Sequence, residues 1–484
     1  MDFSHGIVHT PASIKASANT SLILEDILTL SKVLQQFLEY VRLYFVDLSN
    51  TRRCRVLSKE YFKQLIKSNR PGVTIAKASL GLVNLAMAEG FEPIGEFLYA
   101  LDLSSLRILQ GVGKGTILGI LGKFEEKDPE DKENGVEVGM CPRTTLSRII
   151  REVKDTCSAE FLIGCESEFI LLKSTNPVQP LSVHNWSASD GLLAGSKGAE
   201  IMEEIADSLQ ASGIKLEVFH PESAPGQYEV VTGPLPPLEA ADALIYTREI
   251  ITNVAAKHGA HATFAPRPFM SSPGSSTHVN ISVHDISGSN ERKKIPNELS
   301  LLEKGFLAGL LDHLPAIAAF TLPIPASYKR AVDGVWSGGT YVSWGTENRE
   351  SLIRLTNPAS PSSRRYECRF IDSTANPYLA LAAVLSAAMT KMKLRGDVKL
   401  QVQDAGSKPA ANMSEEERKE KGITKKMPSS SEGARANLRN DPELCEILGK
   451  ELVDAFLSVN KTLEECLLQD KTEDEQLTRV VEFY

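Results

Sequence analysis

The sequence lacks most features that would take a chain out of a reducing aqueous compartment. Its seven cysteines, at 54, 141, 157, 165, 368, 445 and 466, are odd in number and form no CxxC pair, which speaks against a disulfide framework and a zinc site. It has no extended block of Lys and Arg, and its net charge is -9, which excludes nucleic acid and anionic membrane as the main partner. Long apolar runs are missing too. Leu310 to Ala326 is broken by Asp312, His313 and prolines, and Tyr378 to Met389 falls short of the about 20 residues that a bilayer span takes. Met1 to Thr20 has neither a basic region followed by an apolar one nor an Arg-rich amphipathic pattern, so a cytoplasmic location is expected.

What is present is enough apolar material for large cores: 484 residues, 42% hydrophobic and 24% charged, are too long for one ordinary domain. Ser21 to Tyr40 has helical apolar spacing, and Val41 to Asp47 with Arg53 to Leu57 alternate like a hairpin around Ser49-Asn50. Strand-like pieces near Phe97 to Leu103 and Arg107 to Leu121 precede the charged run Glu125 to Asn134, which reads as a solvated loop. Helices are then predicted at Thr144 to Cys157, Glu200 to Ser212 and Leu238 to His258. Strands are predicted at Lys215 to His220, Gln227 to Thr232, Ala262 to Pro266, His278 to Val283, Ser351 to Leu355 and Tyr366 to Phe370. The alternation of polar residues in these strands predicts a mostly antiparallel sheet with one polar, functional face. Asp404 to Gly433, rich in Lys, Glu, Ser and Pro, reads as a mobile surface excursion.

Glu166 and Glu168 interrupt the apolar run Phe161 to Leu172, and a spacing of two on a strand puts both carboxylates on one face. Two like charges that close in an apolar setting need a cation or shared protons, and a divalent metal is the obvious partner. In His220-Pro-Glu222-Ser-Ala-Pro-Gly-Gln-Tyr-Glu229 a Pro-Gly turn lets Glu222 and Glu229 converge from two strands, and Arg365, Glu367 and Arg369 share a strand face by period two. His220, His258 and His261 border element ends and read as structural histidines.

With Gly164-Cys-Glu166-Ser-Glu168-Phe169, Ala262 to Arg267, Gly274-Ser-Ser-Thr-His278, Ser327-Tyr-Lys-Arg330, Asn348-Arg349 with Arg354, Arg364 to Phe370 and Ala375-Asn-Pro-Tyr378, the chain resembles the glutamine synthetase superfamily from about Val41 to its end. The resemblance implies an α+β fold, with a small N-terminal β-grasp-like domain (21–125) and a large catalytic domain (136–484) built on a curved antiparallel sheet backed by helices. It also implies assembly into a homo-oligomeric ring. Position by position, Glu168, Glu222 and Glu229 resemble the ligands of one divalent ion, and Glu166, His278 and Glu367 those of a second. Such oxygen-rich sets suit Mg²⁺ or Mn²⁺. Arg349, Arg354 and Arg365 resemble the residues that hold ATP phosphates, and Ser282 a nucleotide-site hydroxyl. Arg330 and Arg369 resemble those that hold the substrate carboxylate, with Glu168 and Gly274 beside the substrate. Arg349 and Arg330 stand nearest the chemistry.

The implied reaction is attack of a glutamate γ-carboxylate on ATP, then displacement of phosphate by an amine. The sequence departs from the family pattern where ammonium would bind. Ser337 stands nearest the position of a flap glutamate, and Ile75 to Gly81 has no acid where an interface aspartate is found. Pro273, Asn280 and Ser362 replace an Asn, a His and a Lys. A γ-glutamyl-amine ligase using an amine other than ammonium is therefore expected, with Trp336 and Trp344 lining a less polar pocket. Glutamine synthesis proper and a non-catalytic signalling or scaffolding ring are the alternatives.

Overall fold

The computed structural model describes residues 7–17, 40–129, 135–184, 189–288, 295–394, 398–469 and 471–484. The hairpin read from alternation is β1 (Tyr40–Val46) and β2 (Arg52–Ser58), with Val46 opposite Arg52. Asp47 forms its turn, accepting hydrogen bonds from the backbone N–H of Ser49 and of Thr51, both at 2.9 Å, while Asn50 takes a positive φ of 67°. β3 (Gly72–Ala76) follows, then a short ladder of β4 (Leu82–Val83) with β5 (Ala86–Met87), then the long hairpin β6 (Glu96–Val112) and β7 (Gly115–Glu126). The first sheet has the order β2-β1-β7-β6-β3. Parallel pairing of β1 with β7 inside an otherwise antiparallel sheet is the β-grasp-like arrangement expected. Phe45, Phe97, Tyr99 and Phe124 fill its inner face, with Tyr99 and Phe124 centroids 4.7 Å apart.

The second sheet is centred on β8 (Ala159–Thr175), which holds the two glutamates. With β9 (Val178–Pro180), β10 (Leu216–Pro221), β11 (Gln227–Leu235), β12 (His261–Thr263), β13 (Thr277–Asp285), β14 (Trp344–Thr346), β15 (Ile353–Thr356) and β16 (Arg365–Cys368), it has the order β10-β11-β8-β13-β16-β15-β14, while β9 and β12 pair with β8. Its pairings are antiparallel except β14 with β15. The predicted helices are found at Pro142–Cys157, Lys197–Ala211 and Pro237–Lys257, and the last packs on β6 of the first sheet and on β8 and β12 of the second.

Helices Leu301–Thr321 and Pro377–Met392 are apolar all round because they are buried on nearly every side. No helix among the described residues is long and apolar enough to cross a membrane. One hydrophobic core spans both sheets and the helices between them.

Polar contacts join the two sheets. Asn50 Nδ2 donates to the carbonyls of Ser373 and Thr374 at 3.2 and 3.1 Å, and Asn376 Nδ2 donates to the Asp47 carbonyl at 2.9 Å. Asn376 also caps helix Pro377–Met392, accepting from the Tyr378 and Leu379 amides. Deeper in, Arg143 forms a fork with Asp242 at 3.0 and 2.8 Å and reaches Asp102 of β6 at 2.7 Å.

Three expectations need adjustment. The helix at Ser21 to Tyr40 lies outside the described residues apart from Tyr40, which begins β1. The charged run from Glu125 is not wholly loop: β7 continues through Glu126, held by Arg70, whose Nη2 meets Glu125 Oε2 at 2.9 Å, and 130–134 lie outside the described residues. Asp404 to Gly433 packs as part of the fold rather than standing off as an excursion. Buried Ala405, Ala410, Met413 and Ile423 form a small core against Tyr341, and Ser414 with Glu417 makes a capping box for helix Glu415–Glu420.

Candidate functional site

The register of the second sheet assembles the acidic residues. His278 of β13 pairs with Glu166 of β8, and Asn280 with Glu367 of β16. The His278 Nδ1 lies 3.0 Å from Glu166 Oε2 and 3.6 Å from Glu367 Oε1, while its Nε2 meets Ser276 Oγ at 2.9 Å. Glu166, His278 and Glu367 each offer one ligand atom, all within 4.8 Å of one another. Burial, reinforced by the Arg369 charge, holds the His278 imidazole well below its ordinary pKa, in the neutral form that can ligate. Burial works to raise the Glu367 carboxyl, but the charges of Arg369 and Arg354 oppose it and the group stays below its ordinary value.

A second group forms at the β10–β11 hairpin. Glu229 pairs with Glu168 across β11 and β8, and with His220 across β10. His220 Nε2 stands 3.3 Å from Glu229 Oε1, and its Nδ1 3.7 Å from Glu222 Oε1. The three ligand atoms that come within 4.8 Å are those of His220, Glu222 and Glu229. His220 is thus part of the acidic group and not merely a strand-end residue. Its hydrogen bond to Glu229 raises it to about 9, against the opposing effect of burial.

Glu168 is one step deeper, accepting from the Ser276 amide at 2.9 Å and from Gln227 Nε2 at 3.4 Å. Burial first, then the charges of Glu229 and Glu222, raise Glu168 well above a usual carboxyl, and burial raises Glu229 to about 6. Carboxylates crowded until they resist ionisation fit a cation, and oxygen donors with one imidazole per group fit a hard divalent one.

Arginines ring these groups. Arg369 contacts Glu367 through Nη1 and donates from Nη2 to the Trp336 carbonyl at 2.6 Å. Arg330, only 2% exposed, donates from Nη2 to the Arg369 carbonyl at 3.1 Å, while its buried Nη1 has no hydrogen-bond partner among the described residues. An unpaired buried guanidinium N–H fits an anionic ligand such as a carboxylate. Gly274 sits against it: a Cβ there would fall 2.8 Å from Arg330 Cγ and 2.3 Å from the Pro266 oxygen. Arg354 bridges Glu367 Oε2 at 3.0 Å and Glu347 Oε2 at 2.6 Å, and Arg365 Nε donates to Asn280 Oδ1 at 2.9 Å. Asn280 in turn donates to Glu166 Oε1 at 2.8 Å.

Arg349 is exposed at the rim, close enough for its charge to act on His278. Ser282 shares the face of His278 and Asn280 but lies further along β13, its Oγ 2.8 Å from His284 Nε2. Arg364 points away, forking onto buried Glu303 at 3.0 and 3.2 Å. The two tryptophans divide as well. Trp344 is buried and gives its Nε1 hydrogen to the Val402 carbonyl at 2.9 Å, so it packs the core rather than lining a pocket. Trp336 is 58% exposed, at a positive φ of 57°. Ser337 is buried, its Oγ donating to the Val332 carbonyl at 2.7 Å.

Comparison with known proteins agrees with this geometry. The family model for the glutamine synthetase catalytic domain matches residues 139–479. Protein fluG of Emericella nidulans is 34% identical over 430 residues, 87% of this chain but 46% of its own length, so the chain spans about half of that relative. Type-1 glutamine synthetase 1 of Dictyostelium discoideum is 29% identical over 490 residues, covering 96% of this chain and 93% of that protein. The solved structure of a GmaS/ADP complex superposes with a TM-score of 0.75 at 22% identity, covering 93% of this chain and 97% of that one, a likeness of fold. The carboxylate and histidine groups on the sheet face, the arginines around them and these matches have one explanation: the chain belongs to the glutamine synthetase family of ATP-dependent ligases.

Proposed function

We propose that the protein joins the γ-carboxylate of glutamate to an amine other than ammonium, consuming ATP, with residues 136–484 as its catalytic domain and 21–125 as the N-terminal one. The observation that carries this reading is the state of the acids near the flap, 331–340. Asp333 accepts from the Thr340 amide at 2.7 Å and Glu350 from the Trp336 amide at 2.6 Å, so both serve the loop's own backbone. Ser337 stands where the family has an acid, and Ile75 to Gly81 carries none. The machinery for phosphate chemistry is kept while the means of trapping a small cation is reduced.

In this reading Glu168, Glu222 and Glu229, with His220 beside them, hold one divalent ion, and Glu166, His278 and Glu367 hold the other, either Mg²⁺ or Mn²⁺. Bound there, the ions neutralise the charge spread over the phosphate oxygens. Arg349, Arg354 and Arg365 orient the ATP phosphates, with Ser282 further along the face toward the nucleoside. Arg330 and Arg369 hold the glutamate carboxylate, and Gly274 leaves room for it. A γ-carboxylate oxygen bonds the terminal phosphorus and ADP leaves with the electron pair of the broken P–O bond. The amine nitrogen then bonds the acyl carbon, loses a proton, and phosphate departs. Hydrogen bonds to Glu367, Glu347, Asn280 and the Trp336 and Arg369 carbonyls hold Arg354, Arg365, Arg369 and Arg330 before substrate arrives, which is where such catalysis gains most. A cytoplasmic homo-oligomeric ring belongs to the same proposal.

Glutamine synthesis is the second reading, favoured by the name of the Dictyostelium relative. Amide formation from glutamate and ATP, with ammonium compared against mono-, poly- and aromatic amines, separates the two. Turnover with a larger amine and little with ammonium supports the proposal, preference for ammonium restores glutamine synthesis, and ATP binding without turnover overturns both.

A further inference from the structure

The loop from Ala331 to Thr340 is held from two directions at one residue. Glu350 accepts from the Gly334 amide at 3.2 Å through Oε2 and from the Trp336 amide at 2.6 Å through Oε1. From the opposite side, Arg369 Nη2 donates to the Trp336 carbonyl at 2.6 Å, and the same guanidinium contacts Glu367 in the first acidic group. Trp336 therefore has its N–H fixed by a carboxylate and its C=O by an arginine, at a positive φ of 57°. A bulky side chain occupies that backbone region only where the surroundings impose it.

Other constraints shape the neck of the loop without acting on Trp336. Ser337 Oγ donates to the Val332 carbonyl at 2.7 Å and accepts from the Val332 amide at 3.3 Å. Asp333 receives the Thr340 amide at 2.7 Å. Gly338 and Gly339, at φ of 90° and 75°, turn the chain back toward Leu352 and Glu350. Glu350 itself is anchored by its own N–H, which donates to Asn348 Oδ1 at 2.9 Å, while Asn348 Nδ2 donates to the Gly406 carbonyl at 2.7 Å. The acceptor that holds the loop is thus mounted on the packed segment around Asp404 and not on the loop.

We propose that Glu350 is a positioning residue that latches the 331–340 loop over the acidic and arginine groups, so that the acyl phosphate meets an amine rather than water. This rests on the proposed function and adds a role for a residue next to Arg349. Both Glu350 oxygens are engaged by backbone N–H groups, so the carboxylate works by holding the loop, not by taking a proton from the amine. The loss the latch prevents is a defined reaction. Water adding to the acyl carbon of γ-glutamyl phosphate breaks the same C–O bond and returns glutamate and phosphate, so that ATP is spent without amide.

The test is the ratio of amide formed to ADP released by the full-length protein, with Mg²⁺, ATP, glutamate and its best amine, for the wild type, Glu350→Ala and Glu350→Gln. Losing two charge-assisted hydrogen bonds shifts a latched-to-open equilibrium by about tenfold or more. Glu350→Ala is therefore expected to lower the ratio at least about threefold while the KM for ATP changes by less than about twofold. Glu350→Gln, whose amide oxygen can still accept from one N–H, is expected to fall between. Equal ratios in all three proteins overturn the latch and leave the proposed function standing. A parallel rise in the ATP KM also overturns it, because a general loss of structure would do the same. If Glu350→Ala does not fold, Glu350→Gln decides alone, and a ratio like that of the wild type refutes the proposal. A wild type that releases ADP but forms no amide with any amine removes the proposed function, and this inference with it.

Discussion

Gly274 faces Arg330 with room for no further atom between them: a Cβ on Gly274 would stand 2.8 Å from Arg330 Cγ. The same Cβ would press on the Pro266 oxygen at 2.3 Å, and Pro266 cannot retreat because its carbonyl accepts the Ser275 amide at 2.7 Å. The arginine has to give way. Gly274→Ala is expected to raise the KM for the acid substrate about tenfold with a smaller effect on that for ATP, since a displacement of about 1 Å in a positioning group costs that order or more. Equal KM values for glutamate in the two proteins would show that Arg330 does not bind its carboxylate.

The pairing of His220 with Glu229 sets a pH dependence in the metal-free protein. The His220 folded pKa is raised to about 9 from 6.5, mainly by the hydrogen bond to Glu229. A group raised on folding stabilises fully below its unfolded pKa of 6.5, but the partner Glu229 takes up a proton at about 6, so this contribution is largest near neutral pH and disappears as pH rises through about 9. Because about a third of the ring is open to solvent, the contribution is about 1 kcal/mol and no more. In chelator-treated protein the melting temperature of the wild type should exceed that of His220→Gln by a few degrees near pH 7, and the gap should close by pH 9.5 or so. A constant gap from pH 6 to 10 would mean that the imidazolium is not what stabilises the hairpin.

How far the chain could be read in advance depended on how local each signal was. The strand carrying Glu166 and Glu168 stood out because apolar residues flank the acids at period two, and its partners β11, β13 and β16 announced themselves by the same alternation. His220 reads as a structural, strand-end histidine in the sequence because its bond to Glu229 crosses a hairpin, although the His220-Pro-Glu222 spacing places an imidazole beside the acids. The segment around Asp404 was misread for a different reason. Ala405, Ala410, Met413 and Ile423 fit neither the period of a helix nor that of a strand, and their burial depends on distant Tyr341. Trp344 was a matter of direction, which sequence does not carry: its indole N–H points to Val402.

A buried charge network between the first sheet and the helices supplies the last prediction. Arg143, 4% exposed, forks onto Asp242 of helix Pro237–Lys257 and also reaches Asp102 of the first sheet, while Tyr378 donates its hydroxyl to Asp242 Oδ1 at 2.7 Å. Four segments, three helices and β6, are joined in one network around this guanidinium. Burial works against the Arg143 charge, but Asp242 overcomes it and raises its pKa. Removing one partner of such a pair leaves a buried charge without compensation and costs about 3–5 kcal/mol. Asp242→Ala should therefore lower the melting temperature by roughly 5–10 °C. Asp102→Ala, at the exposed end of the network, should cost about 1 kcal/mol. Urea unfolding of the two variants measures the difference directly. Equal losses would mean that the charge is shared evenly along the network, whereas the geometry places it on Asp242, which alone meets the fork with both oxygens.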